Sequence, residues 1–183
     1  MTKNAQRNHV HTTLKIDTKA LEKAKLSLDD GAVVEEKSPW REDIIQLLND
    51  SLATELVCVL RYRRHHFTAT GLSSPAIADE FLVHANEEQS HADRIAARIV
   101  QLGGEPDFNP ATLVDRSHAD YHDQLDLHSM IRANLVAERV AIEVYTQMIA
   151  LIGDKDHTTR RLIEQILEQE QEHADELSDW MHK

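Results

Sequence analysis

Apolar residues recur at steps of three and four along four separate stretches of this 183-residue chain. That spacing keeps one face of a helix turned to a core. One stretch reads Ile163, Ile166, Glu170, His173, Leu177, Trp180, and a second reads Ile77, Phe81, His84, Glu88, His91, Ile95, Leu102. The third is Leu48, Leu52, Glu55, Val59, Tyr62, His66, and the fourth Leu127, Ile131, Glu138, Ala141, Tyr145, Met148. Start and stop signals bound a long helix around each. In chain order, Ser38-Pro39 opens the first helix, to about Phe67, and Ser74-Pro75 opens the second, which Gly103-Gly104 ends. The third occupies about 127–152 with Gly153 as its terminator, and Asp154 caps the fourth, which runs to the last residues.

The short link around Gly71 makes the first two helices antiparallel. The stretch from Gly103 to about Asp126, with Pro106 and Pro110, is long for a loop between helices. It is long enough to cross the side of the assembly and let the second and third long helices run parallel, with a short helix over Val114 to His122 on the way. His118, His122 and His128 read as surface polar groups. The pattern predicts an all-α fold, a four-helix bundle over residues 38–183 with a long crossover between the second and third long helices and no fifth helix. Residues 1–37 form an N-terminal extension, partly disordered or carrying a short helix over Ala20 to Leu28.

Composition agrees with helices: aromatics are 4% of residues, and there are only five glycines and four prolines. The formal charge of -12 argues against a broad nucleic-acid-binding surface and in favour of a cation partner. The first 28 residues run the other way, with six cations (Lys3, Arg7, Lys15, Lys19, Lys23, Lys25) against Asp17 and Glu22, a local balance of +4. Such an arm can tether DNA, but without aromatics to stack bases it reads first as a solvated tail. A single cysteine, Cys58, excludes an internal disulfide and any multi-cysteine metal site, and it reads as a small buried hydrophobe. With no signal-peptide pattern and no run of eighteen apolar residues, the expected location is cytoplasmic.

The chemistry lies in what interrupts the apolar stripes. Burying a lone carboxylate costs several kcal/mol unless it is paired or binds a metal. Yet Glu88 with His91, and Glu170 with His173, stand in mid-stripe, each pair three residues apart and so on one helix face. Glu55 and Glu138 each stand alone in the middle of theirs. Two single glutamates and two Glu-x-x-His pairs, from four helices, are the ligand set of a carboxylate-bridged dimetal site. Oxygen and imidazole ligands suit iron first and manganese second, whereas a structural zinc site is tetrahedral and rich in Cys or His.

These residues carry a resemblance. Glu55, Glu88-Gln-Ser-His91 followed by Ala-Asp-Arg, Glu138 at the end of Ala-Asn-Leu-Val-Ala-Glu, and Glu170-Gln-Glu-His173 resemble the bacterioferritin branch of the ferritin-like di-iron superfamily, over about residues 40–180. The resemblance implies two iron ions per subunit held by Glu55, Glu88, His91, Glu138, Glu170 and His173, with Glu55 and Glu138 terminal or bridging. Tyr62 matches the family's tyrosine beside the site. It also implies a ferroxidase that oxidises Fe(II) to Fe(III) with O2 or H2O2, in iron storage, detoxification and oxidative-stress protection. Gln89 stands where the family's haem-binding members carry a Met, so no haem is expected. The absent fifth helix and the N-terminal extension resemble the Dps-like mini-ferritins, which implies a closed homo-oligomer of twelve subunits. Three alternatives stay open: a rubrerythrin-like peroxidase, a manganese catalase, and a DNA-protecting cage of the Dps type.

Overall fold

In a computed structural model the described residues are 15–26, 31–33, 39–71 and 74–182. The chain divides into two compact units, 1–30 and 31–183. In the first, α1 (Thr18–Ala24) is capped by Asp17, whose carboxylate accepts from Lys19 N at 2.9 Å, and it buries no side chain. The helix expected over Ala20 to Leu28 thus begins two residues earlier and ends at Ala24, and residues 27 and 28 lie outside the described residues.

The second unit holds α2 (Arg41–Thr68), α3 (Ser74–Gln101), α4 (Leu113–Arg116), α5 (Leu127–Ile152) and α6 (His157–Met181). Among the described residues every regular element is a helix. Directions follow from cross-contacts. Arg63 reaches Asn86 and His66 reaches Ala78, so α2 and α3 are antiparallel. Ser51 meets Met148 while Arg61 meets Asn134, so α2 and α5 are antiparallel as well, and α3 and α5 run the same way. Residues 103–126 make this possible by travelling the length of α2. Asn49 binds Glu105 O, Thr54 receives His118 N, and Arg61 and Arg64 hold the carbonyls of Asp120 and Asp123. The short helix on this path is α4, earlier than Val114 to His122, because Leu113 is the apolar residue there that packs under it, against Ala53 and Val57. His118 therefore docks on α2 rather than standing on the surface, whereas His128 is exposed.

Two glycines are needed where they stand. Gly153 ends α5 at φ 51, and at Gly104 a Cβ would sit 2.9 Å from Ile45 Cγ2. The cap of α6 is Asp156, not Asp154. Its carboxylate accepts from the amides of Thr158 and Thr159 and takes both of its oxygens to Arg98 Nη2 at 2.8 and 2.9 Å. Arg98 and Asp156 are 8% and 12% exposed. Burial would raise the Asp156 carboxyl, but the bonds from Thr159 and Arg98 hold it below the usual range. Asp156→Ala therefore loses a cap and strands a buried guanidinium, and should destabilise the chain by about 3–5 kcal/mol in urea unfolding at pH 7. Because the folded carboxyl titrates low, that difference is present above about pH 4 and should shrink as pH falls below it.

The core comes in two apolar blocks. One holds Ile45, Leu48, Leu52, Ile95, Ile99, Met148, Ile163 and Ile166, and the other Ile77, Phe81, Met130, Ile131, Ala137 and Leu177. On each long helix the stripe leaves one block and enters the other, and the glutamate of the stripe stands between them. Val33 packs against the first block. His66, expected on the core stripe, is half-buried, and His65 beside it takes the core position, bonded to Asn134. No described helix is long and apolar enough to cross a membrane.

Candidate metal centre

The layer between the two blocks is polar and buried. Glu55, Glu88, Glu138 and Glu170 are each 1% exposed, His91 0% and His173 2%. They form two groups whose ligand atoms lie within 4.8 Å of one another: Glu55, Glu88, His91, Glu170, and Glu88, Glu138, Glu170, His173. Glu88 and Glu170 belong to both. Each splits its oxygens between the groups: Glu88 Oε2 lies 3.4 Å and Glu170 Oε1 3.0 Å from His91 Nδ1, while Glu88 Oε1 lies 3.4 Å and Glu170 Oε2 3.9 Å from His173 Nδ1. That is the arrangement of bridging carboxylates. Glu55 turns Oε2 to His91, and Glu138 turns Oε2 to His173, each to one group only, which is a terminal arrangement.

The outer atoms of these side chains are tied down. Tyr145 donates to Glu55 Oε1 and Tyr62 donates to Glu138 Oε1. His91 Nε2 meets Gln169 Oε1 at 3.1 Å and His173 Nε2 meets Glu87 Oε2 at 2.9 Å. Both partners are oxygen acceptors, so each imidazole carries a proton on Nε2 and, in its neutral form, turns the Nδ1 lone pair inward. The inner atoms are the reverse: Glu55 Oε2, Glu88 Oε1, His91 Nδ1, Glu170 Oε1 and Oε2, and His173 Nδ1 are buried with no hydrogen-bond partner. Native interiors rarely leave such groups unsatisfied, and here six converge on one place. Four carboxylates and two imidazoles fit two divalent cations in charge and in ligand type.

Electrostatics shows the same deficit of positive charge. Burial, and then the neighbouring Glu88, push the Glu55 carboxyl up to about 8. Burial and the other three carboxylates hold Glu170 well above the usual range. Burial would raise Glu88 too, but the close approach of Glu55, His173 and His91 holds it well below. Burial would lower the imidazoles, yet the nearby carboxylates of Glu138 and Glu88 push His173 up to about 12, and those of Glu170, Glu55 and Glu88 raise His91 strongly. Protons here occupy places that suit cations. Both tyrosines are raised well above 10 by burial and then by the carboxylate each touches, so they stay protonated donors.

The stripes indicated the six central residues and Tyr62. They gave Tyr145 no role, although it follows Glu138 by seven residues as Tyr62 follows Glu55, and that repeat was the available signal. Glu87 and Gln169 each directly precede the glutamate of a Glu-x-x-His pair. Read alone, both look like solvent-facing positions. His84 lies behind His173, its ring stacked at 4.2 Å, and links Tyr62 to Glu176. Cys58 is buried, with Arg61 Nη2 3.3 Å from its sulfur. Gln89 is bonded to Asp93, away from the inner atoms.

Comparison with known proteins points the same way. The family model for the ferritin-like domain matches residues 45–183. A bacterioferritin of Desulfovibrio desulfuricans is 30% identical over 138 residues, 73% of each chain. A DNA protection during starvation protein of Pyrococcus furiosus is 30% identical over 135 residues, 72% of this chain and 73% of its own. Among solved structures, the bacterioferritin-related protein of Bacteroides fragilis, described as a dodecameric thioferritin, superposes with a TM-score of 0.75 at 30% identity. The match covers 78% of this chain and 86% of that one.

Proposed function

The chain belongs to the ferritin-like family, whose di-iron members share bacterioferritin and Dps-like features, and from that premise we propose that it is a ferroxidase, oxidising Fe(II) to Fe(III) with O2 or H2O2 for iron storage, detoxification and oxidative-stress protection. The observation that carries this reading is the convergence of six partnerless buried ligand atoms in two groups sharing Glu88 and Glu170. The four long helices are the bundle, residues 38–183 its domain and 1–37 an extension. Glu55, Glu88, His91, Glu138, Glu170 and His173 are the ligands, and Tyr62 stands beside them.

Iron held by these six residues would supply a pair of electrons, one from each position, to a two-electron acceptor. The chain's own residues do the rest. Glu88 and Glu170 hold the two positions together, so both electrons leave from one place. Tyr62 and Tyr145 fix the terminal carboxylates by their outer oxygens, leaving the inner oxygens free to bind. Gln169 and Glu87 hold the imidazole rings in the binding orientation. The apolar blocks on either side keep bulk water out, which strengthens every charge interaction inside.

The test is metal analysis of purified protein with stopped-flow mixing of metal-free protein and Fe(II). The reading expects iron as the bound metal and a fast oxidation phase that saturates at two Fe(II) per chain. A centre that binds manganese and releases O2 from H2O2 would instead be a catalase. No haem band is expected from protein expressed with ample haem, because the Gln89 amide is a poor axial ligand; a stoichiometric Soret band would refute this.

For assembly we propose a closed shell of twelve chains, supported by the dodecameric relative. Light scattering should then give about 250 kDa, since one chain weighs 20.9 kDa. A mass near two chains would remove the storage cavity and leave the metal chemistry. DNA coating is the second reading, favoured by the DNA-protecting relative. DNA retarded by the full chain but not by one lacking residues 1–28, and released by salt, would support it.

A further inference from the structure

Between the crossover and α5 lies a cavity of about 390 Å³ that contains none of the six metal ligands. Two spacings build its walls. On the crossover His118, Asp120, His122 and Gln124 stand at every second residue, as alternate positions of an extended segment do, and on α5 Ser129, Arg132 and Val136 share one helix face. The crossover wall is pinned to α2 from behind. Thr54 Oγ1 accepts from His118 N at 3.0 Å, Arg61 Nη1 donates to Asp120 O at 2.9 Å, and Arg64 donates to the carbonyls of Asp123 and Gln124 at 2.7 and 3.4 Å. The cavity is thus formed before any ligand enters it, so a ligand need not order its walls.

Its polar groups are left over from the fold. Arg132 has no hydrogen-bond or ion-pair partner among the described residues, on a chain whose formal charge is -12, and His122 Nδ1 is buried without one. An orphaned atom in a cavity wall is where a ligand or an ordered water completes the bonding. A cation does not fit, because none of the clusters of metal-ligating side chains among the described residues includes His118, Asp120 or His122. An anion meets donors in Arg132, the Ser129 hydroxyl and the Gln124 amide. The wall also holds acceptors. Thr54 Oγ1 gives its proton to Asp50 O at 3.0 Å, so at 3.1 Å it accepts from His118 Nδ1, and the neutral ring is left with a lone pair on Nε2. Asp120 adds a carboxylate. An oxyanion that carries its own O–H satisfies both kinds of group, whereas one without it is repelled by Asp120.

We propose that this cavity binds hydrogen phosphate, with Arg132 and Ser129 holding its charged oxygens and Asp120 accepting from its hydroxyl. Inorganic phosphate keeps an O–H at pH 7, sulfate has none, and a phosphate monoester, whose second pKa is about 6, has mostly lost it. The site therefore selects free phosphate over both. It is independent of the metal-ligand assignment.

The experiment is calorimetric titration of the full chain, freed of metal so that phosphate cannot bind iron, with sodium phosphate, sodium sulfate and phenyl phosphate at pH 7. Phosphate should bind once per chain and at least about tenfold tighter than either competitor. Arg132→Ala should weaken phosphate by at least about tenfold, and Asp120→Asn should bring sulfate within about threefold of phosphate. Arg132 and Asp120 are both exposed, so both variants should fold, as circular dichroism will show. Phosphate that does not bind at millimolar concentration, or sulfate or phenyl phosphate that binds wild type as tightly, would overturn the proposal. So would phosphate affinity that survives Arg132→Ala, or sulfate still rejected by Asp120→Asn.

Discussion

Glu170→Gln should slow rapid Fe(II) oxidation by at least about 100-fold and at the same time make the metal-free protein more stable, by about 1–2 kcal/mol. The two effects have one cause. Glu170 lies in both ligand groups and offers one oxygen to each, so an amide there removes an anionic ligand from both positions. Without metal, the same carboxyl is buried among Glu88, Glu55 and Glu138 with neither oxygen hydrogen-bonded, and it is held above its ordinary range for that reason. Replacing it with a neutral group of equal size relieves that penalty. Stopped-flow oxidation and urea unfolding of metal-free protein measure the two sides. Unchanged oxidation would move the chemistry elsewhere, and a destabilised metal-free variant would mean that Glu170 serves the fold rather than the metal. Glu138→Ala supplies the contrast. Glu138 belongs to one group, so this variant should keep one Co(II) per chain while losing the rapid paired oxidation.

The long helices were legible because each obeys a local rule. Their stripes keep helical spacing, and Asp126 and Gly153 close α5 where such residues belong. The six central residues were legible for the complementary reason, as charged groups on stripes that should be apolar. What could not be read depends on pairing between helices. That Tyr145 serves Glu55 and Tyr62 serves Glu138 requires knowing that α2 and α5 run antiparallel in a register that sets 55 opposite 145. The same holds for Arg61, which is fully buried yet satisfied by Asn134, Asp120 O and Cys58. From sequence an arginine in that place suggests an exposed position. Asp154 was the expected cap, and Asp156 is the same residue type two positions on, so the local sequence does not separate them. Arg98, 58 residues upstream of Asp156, decides between them by binding only the second.

Metal-free and metal-loaded protein should respond to pH in opposite directions. In the metal-free centre Glu55 is pushed up to about 8 from an ordinary 4.5, and His173 up to about 12 from 6.5, while Glu170 and His91 are raised as well. The folded state therefore holds more protons than the unfolded chain between pH 5 and 8, and stability must fall as pH rises through that window. Glu88 moves the other way, but its window lies below the ordinary carboxylate value of 4.5 and does not touch this one. A single proton retained across the interval corresponds to about 4 kcal/mol between pH 5 and pH 8, so the fall should be at least of that order. A divalent cation displaces these protons, so its affinity rises over the same interval. Zn(II), which cannot be oxidised, should stabilise the protein by about 4 kcal/mol or more at pH 8 once its concentration is about a thousandfold above Kd, and by much less at pH 5. Thermal unfolding at fixed protein concentration, with and without Zn(II), should give curves of Tm against pH that slope apart. Metal-free protein that grows more stable from pH 5 to 8, or Zn(II) that adds nothing at pH 8, would show that the buried carboxylates and imidazoles satisfy one another and need no cation.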